Sequence, residues 1–247
     1  MRRFLCGALA LIAIAFSTLD ATESQALTRT PQHLKPDPKA VANPREVATV
    51  APSANNLRRI AIAMHEYSDT NGVLPPAAYW NKAGQACLSW RVLILPQLGH
   101  EALYKQFKLD EPWDSEHNKK LLAKMPSVYA TPGLTKSGST ETYYRVFVGN
   151  GAGFDWIFGT LLIKILDGTV NTIMCTIAST SVPWSKPDEL EFDPEKDPTK
   201  LFGALPTGQP QVVMFDGTVK TLKKLPSKET LKLLIQRNDG QVIPDDF

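Results

Sequence analysis

Hydrophobic residues in the segment 53–76 recur at the spacing of one face of an α-helix. The apolar positions of this stripe are Leu57, Ile60, Ala61, Met64 and Tyr67. Ser53 precedes the stripe and can cap the first free amides, whereas Gly72 and the following prolines end the helical pattern. The pattern predicts an amphipathic helix, beginning at Ser53, whose apolar face packs on another part of the chain.

Shorter helical patterns follow the first helix. Pro96 and Gly99 interrupt a strongly apolar run, which predicts two helical pieces at residues 89–95 and 99–107 rather than one long helix. A third piece, at residues 115–124, carries acid near its start and lysines toward its end, as the helix dipole favours. We expect these three pieces to form an insertion beside a sheet.

Strand patterns begin late in the chain. Aromatic and β-branched residues predict strands at residues 142–149 and 171–178. Asp216-Gly217 separates two β-prone runs, and this pair is typical of a tight β-hairpin turn. Helices first and paired strands later predict an α+β fold, with an N-terminal helix packed on an antiparallel sheet and inserted short helices.

Residues 1–26 have the pattern of a secretory signal peptide. Two arginines precede the apolar run 4–16, and Ser24 and Ala26 are small residues at the positions that a signal peptidase reads. The run is shorter than the roughly 20 apolar residues that span a bilayer. We therefore expect cleavage and export, with no transmembrane span left afterwards. The alternative is an uncleaved N-terminal anchor.

Residues 27–52 are rich in proline and lack a hydrophobic period, which predicts a disordered linker. Residues 53–247 remain for one domain with its own hydrophobic core. We expect this domain in the periplasm or outside the cell. If the signal stayed uncut, the linker would be a stalk for an anchored domain.

Composition excludes some partners. The net charge is +2, with 43% hydrophobic and 21% charged residues. A chain with this balance has no excess of basic residues to attract nucleic acid or a membrane surface, so no nucleic-acid partner is expected. The oligomeric state is not encoded in these numbers.

Two cysteines, Cys87 and Cys175, remain after signal cleavage. Export permits a disulfide between them, but two cysteines alone do not establish proximity, so two buried free thiols are the equal alternative. Asp167, Thr169 and Asn171 alternate around a glycine like calcium ligands. An ordinary Asp-Gly turn explains the same residues without a cofactor.

Four tryptophans lie in or beside predicted loops and are candidates for a recognition surface for envelope glycans or proteins. They are Trp80, Trp113, Trp156 and Trp184. The alternative is that these large rings attach long connections to the core.

Catalytic and metal motifs are absent from the sequence. It has no HExxH, CxxC or GxSxG spacing, and its four histidines are scattered. Ser89, before an aromatic residue, is interpreted as a helix cap rather than a nucleophile. We predict no catalytic residue and no metal site beyond the calcium candidates.

Several phrases of the chain together resemble one bacterial family, known as domain of unknown function 1559. They include NNLRRIAIAMHEYSDTNGVLPPA, LSWRVLILPQL, DGTVNTI, VPWSKPDEL and VVMFDGTV. The resemblance covers most of residues 55–242. It implies a pseudopilin-like fold, while the biochemical role of that family is not established.

The chain departs from the family pattern in two places. No prepilin leader precedes the first helix, which carries Arg58 and Arg59 where a filament stem would be apolar. Pro206 also replaces the histidine that the family places ten positions before the aspartate of the last Asp-Gly. The expected function is therefore an exported, non-enzymatic, pilin-like structural or binding module of the cell envelope or of a secretion-related assembly. The alternative is an exported hydrolase with loop carboxylates or histidines.

Overall fold

The first helix is longer than its hydrophobic stripe indicates. In the computed structural model, which describes residues 44–247, helix α1 covers Pro44–Asn71 and continues through Pro52. The predicted start at Ser53 is therefore wrong, and the last part of the predicted linker is helical. The signal peptide and the rest of the linker lie outside the described residues.

Tertiary contacts explain the early start of α1. The Val50 side chain packs on the hydrophobic core, and its carbonyl accepts a hydrogen bond of 3.0 Å from Gln211 Nε2. Ser53 is fully buried inside the helix, with its Oγ 3.0 Å from the Tyr144 hydroxyl. These contacts offset the hydrogen bond that Pro52 cannot make, so the proline lies within the helix instead of preceding it.

The central sheet is antiparallel with strand order β3-β5-β7-β8. Its strands are β3 (Glu141–Arg145), β5 (Ile173–Pro183), β7 (Gln211–Met214) and β8 (Val219–Thr221). The predicted hairpin is confirmed, with Asp216-Gly217 in its turn and Gly217 at a φ of 84°. The α+β class with an antiparallel sheet is therefore confirmed, while the likeness to pseudopilins stays a prediction.

Shorter elements surround this sheet. Strands β1 (Ala78–Trp80) and β2 (Ala86–Ser89) form a small antiparallel hairpin, and β4 (Phe147–Val148) pairs in parallel with β6 (Leu190–Glu191). The inserted helices are short, as expected: α2 (Trp90–Leu93), α3 (Glu101–Tyr104) and the 3₁₀ helices Asn118–Lys124 and Ser127–Tyr129. Further 3₁₀ turns lie at Leu162–Lys164 and Pro198–Leu201, and α4 covers Lys228–Ile235.

The sheet separates two hydrophobic clusters. Along β7, Val213 packs with the α1 side, whereas Val212 and Met214 pack with α4, because successive strand residues point to opposite faces. The predicted stripe of α1 is buried in the first cluster at Leu57, Ile60, Ala61 and Met64. Within residues 44–247, no helix combines the length and apolarity needed to cross a bilayer.

Candidate functional site

Two of the four candidate tryptophans come together in space. Trp80, at the end of β1, donates a hydrogen bond of 2.9 Å from its indole Nε1 to the backbone carbonyl of Trp156. The same carbonyl accepts the Ala78 amide at 3.2 Å, and the Asp155 carbonyl accepts the Ala77 amide at 2.9 Å. The hairpin β1-β2 and the loop after β4 are therefore joined, and the Trp80 ring is bound to the backbone of Trp156.

Both rings line a groove of about 980 Å³. A second part of its lining, the polar wall, comes from β5 and from the segment 186–191, which includes β6. Three basic and three acidic side chains line the groove: Arg145, Lys186, Lys196, Asp188, Glu189 and Glu191. The groove therefore combines two tryptophan rings with polar side chains whose opposite charges balance.

Asp188 is the centre of the polar wall. Its Oδ1 lies 2.7 Å from Arg145 Nη2, and its Oδ2 lies 2.7 Å from Lys186 Nζ. Arg145 Nη1 also donates to Thr180 Oγ1 at 3.1 Å, whereas its buried Nε has no hydrogen-bond partner in the described part of the chain. Burial lowers the pKa of Arg145, against the raising effect of the neighbouring Glu189 and Asp188. The Nε donor of Arg145 is therefore buried without a partner beside the groove.

A buried ion pair supports this wall from below. Glu189 Oε1 lies 2.8 Å from Arg91 Nη1, and Glu189 Oε2 accepts the Val146 amide at 3.0 Å. Arg91 Nη2 also donates to the Tyr144 carbonyl at 2.6 Å. Burial raises the pKa of Glu189, and the charge of Arg91 opposes that shift. Both side chains are fully buried, so the pair fixes the segment 186–191 rather than contacting a ligand.

The other two tryptophans do not line the groove. Trp184 is fully buried, stacks on Tyr129 with 5.8 Å between ring centroids, and donates from Nε1 to the Leu122 carbonyl at 3.0 Å. A recognition role for Trp184 is therefore wrong, and the prediction that large rings attach loops to the core describes it correctly. Trp113 is half-buried against the core, with Lys186 Nζ 5.9 Å from its ring centroid.

The predicted cysteine pair is present as two free, buried thiols, so the disulfide alternative is wrong for this structure. Cys87 Sγ lies within 3.6 Å of the carbonyls of Gln85 and Asp110, whereas Cys175 lies inside the central strand β5. Burial raises the pKa of both thiols. Neither is suited to nucleophilic chemistry, because the thiolate is the reactive form.

The calcium candidates hold loops together. The two carboxylate oxygens of Asp167 accept the amides of Asp239 and Gly240, each at 2.8 Å. Asn171 Nδ2 donates to the Asp167 carbonyl at 3.0 Å, and the Thr169 carbonyl accepts the Asp216 amide at 3.0 Å. No group of three His, Cys, Asp or Glu side chains in residues 44–247 is arranged to hold a metal ion. These contacts support the turn interpretation.

The predicted helix cap at Ser89 is confirmed, because its Oγ accepts the Arg91 amide at 3.3 Å. Sequence reasoning missed the polar wall. Asp188, Glu189 and Glu191 carry no local signal of such a wall, although Arg91 within an apolar run indicated a buried charge that needs a partner.

The fold and the groove define a class: an α+β domain with an aromatic and polar binding groove. The family model described as protein of unknown function (DUF1559) matches residues 42–160, which confirms the resemblance to that family over this stretch. The match contains α1 and both groove tryptophans but ends before the polar segment 186–191. No curated protein and no solved structure shows significant similarity to the chain.

Proposed function

We propose that the protein is an exported, pilin-like binding module of the cell envelope, and that its groove recognises a glycan. The juxtaposition of Trp80 and Trp156 along one groove carries this proposal. Flat aromatic faces offer apolar surface to the C–H faces of sugar rings, and a few placed polar groups fix a ligand's orientation.

The charges of the groove favour a glycan without a large net charge. Basic and acidic side chains are equal in number there, and Asp188 already pairs with Arg145 and Lys186. A strongly charged ligand would have to break these pairs, whereas sugar hydroxyls can both donate to the carboxylates and accept from the cations.

Binding to purified glycans tests this proposal. The mature chain would be titrated with neutral oligosaccharides and, in parallel, with peptides of similar length, by isothermal calorimetry. We expect Trp80→Ala and Trp156→Ala each to weaken oligosaccharide binding by about tenfold or more, as for a buried aromatic anchor. Tyr143→Ala, at a half-buried aromatic outside the groove, is the matched control and should bind like wild type. Binding of peptides alone, or equal binding by all variants, would refute the proposal.

A glycan hydrolase is the second candidate, because Glu189 has a raised pKa and lies at the same groove as Glu191. Glycosidases use a pair of carboxyl groups that flank the scissile bond of the sugar. Glu189 is, however, fully buried against Arg91, which argues against contact with a substrate. Release of reducing sugar by wild type that Glu191→Gln abolishes without loss of binding would establish the hydrolase and overturn the non-enzymatic role.

A further inference from the structure

The segment 157–170 exposes large apolar side chains to an unusual degree. Six of the eight exposed large hydrophobic residues among the described residues lie in it: Ile157, Phe158, Leu161, Ile163, Leu166 and Val170. Phe158 and Ile163 are the most exposed of the six, at 73% and 78%. Soluble domains usually scatter such residues singly, and a concentration of them marks an interaction surface.

The backbone of this segment is held firmly in place. The Thr160 carbonyl accepts the Leu74 amide at 2.9 Å, and the Arg237 carbonyl accepts the Leu166 amide at 2.7 Å. Gly159 packs so closely that a Cβ atom there would lie 2.2 Å from the Leu74 carbonyl oxygen. Ile165 is buried and anchors the middle of the segment in the core. The exposed side chains therefore project from a fixed loop.

The charges along this segment fit a lipid surface. Lys164 is the only charged residue between Asp155 and Asp167. Asp155 pairs with Arg237 at 3.2 Å, and both Asp167 carboxylate oxygens accept the amides of Asp239 and Gly240, so both acids are bound to the segment 237–240. A lysine among apolar side chains can extend its ammonium to lipid phosphates, as in interfacial segments.

We infer that the segment 157–170 docks the domain on an anionic lipid bilayer, with Phe158 and Ile163 inserted and Lys164 at the headgroups. Ile157 also lines the groove, but Phe158, Ile163 and Lys164 do not, so the inference is tested separately from glycan binding. The overall charge of +2 does not predict it, because the attraction comes from one local segment.

Flotation with lipid vesicles tests the inference. The chain beginning at Leu27 keeps the whole compact unit of residues 42–247 and lacks the apolar run 4–16, which could bind lipid by itself. We expect binding to vesicles of phosphatidylethanolamine and phosphatidylglycerol. The double variant Phe158→Asp with Ile163→Asp should lower the partition coefficient by about a hundredfold, because it removes two inserted side chains and adds negative charge.

Two further variants separate the contributions. Lys164→Gln should weaken binding by a few fold and reduce its salt dependence, because about one basic contact to the headgroups is lost. Val242→Asp is the matched control, since Val242 is 89% exposed and lies outside the segment, and it should bind like wild type. Failure of the wild type to float, or equal flotation of the double variant, would overturn the inference. Self-association without flotation, abolished by the double variant, would also overturn it in favour of a second copy as the partner.

Discussion

Arg91 and Glu189 form an ion pair of 2.8 Å in the interior, with both side chains fully excluded from solvent. The pair joins α2 to the wall of the groove, across 98 positions of sequence. Removing one partner leaves an uncompensated buried charge, so we expect Arg91→Met to cost about 3–5 kcal/mol of unfolding free energy. Urea unfolding measures this. The double change Arg91→Met with Glu189→Leu should recover much of this lost free energy. A double variant no more stable than Arg91→Met would contradict the claim that the unpaired Glu189 charge causes the loss.

Tyr144 makes the stability of the fold depend on pH in the alkaline range. Burial raises its pKa from 10.0 to about 12. The folded state favours the neutral phenol. The contribution of Tyr144 to the free energy of unfolding is therefore complete below pH 10 and is lost as the pH rises from 10 towards 12. At about 1.4 kcal/mol per unit, the loss approaches about 3 kcal/mol. Urea unfolding between these pH values should show a shallower decline for Tyr144→Phe. Equal declines for wild type and Tyr144→Phe would contradict the assignment of this pH dependence to Tyr144.

The two kinds of tryptophan should differ in their effect on stability. Trp184→Ala removes a fully buried ring and its hydrogen bond to the Leu122 carbonyl, so we expect a loss of about 3–5 kcal/mol. Trp156→Ala should cost about 1–2 kcal/mol, because its ring is only partly buried. Chemical denaturation distinguishes them. A larger loss for Trp156 would mean that it serves the core rather than the groove.

Cys87 and Cys175 should behave as two protected thiols. Because both are buried and have raised pKa values, we expect slow reaction with a thiol reagent in the folded mature chain. Both should react at once in guanidinium. An intact mass two units below that of the dithiol, without reduction, would instead show the disulfide.

Local patterns predicted the elements whose signals lie within a few residues. The stripe of Leu57, Ile60 and Met64 identified the buried face of α1, and Asp216-Gly217 identified the hairpin. The predicted start of α1 was wrong, because a hydrogen bond from Gln211 to the Val50 carbonyl supports helical structure before Pro52. That contact spans 161 positions and has no local signature.

The groove was only partly predictable. The tryptophans beside predicted loops were candidates for a recognition surface. Which of them lie in one groove depends on the pairing of segments that are distant in sequence. The contact of Arg145 with Asp188 spans 43 positions and requires β4 and β6 to pair in register. The short hairpin that presents Trp80 also escaped prediction, because β1 and β2 have three and four residues and so carry little periodicity.

The most direct test of the account follows the indole N–H signals of the chain's five tryptophans by ¹H–¹⁵N NMR during titration with the tightest-binding oligosaccharide. We predict that the signals of Trp80 and Trp156 shift with a common dissociation constant, because both rings line the groove. The signals of the three tryptophans outside the groove lining, Trp90, Trp113 and Trp184, should stay in place. Shifts confined to Trp113, or no indole shift at saturation, would contradict recognition of a glycan in this groove.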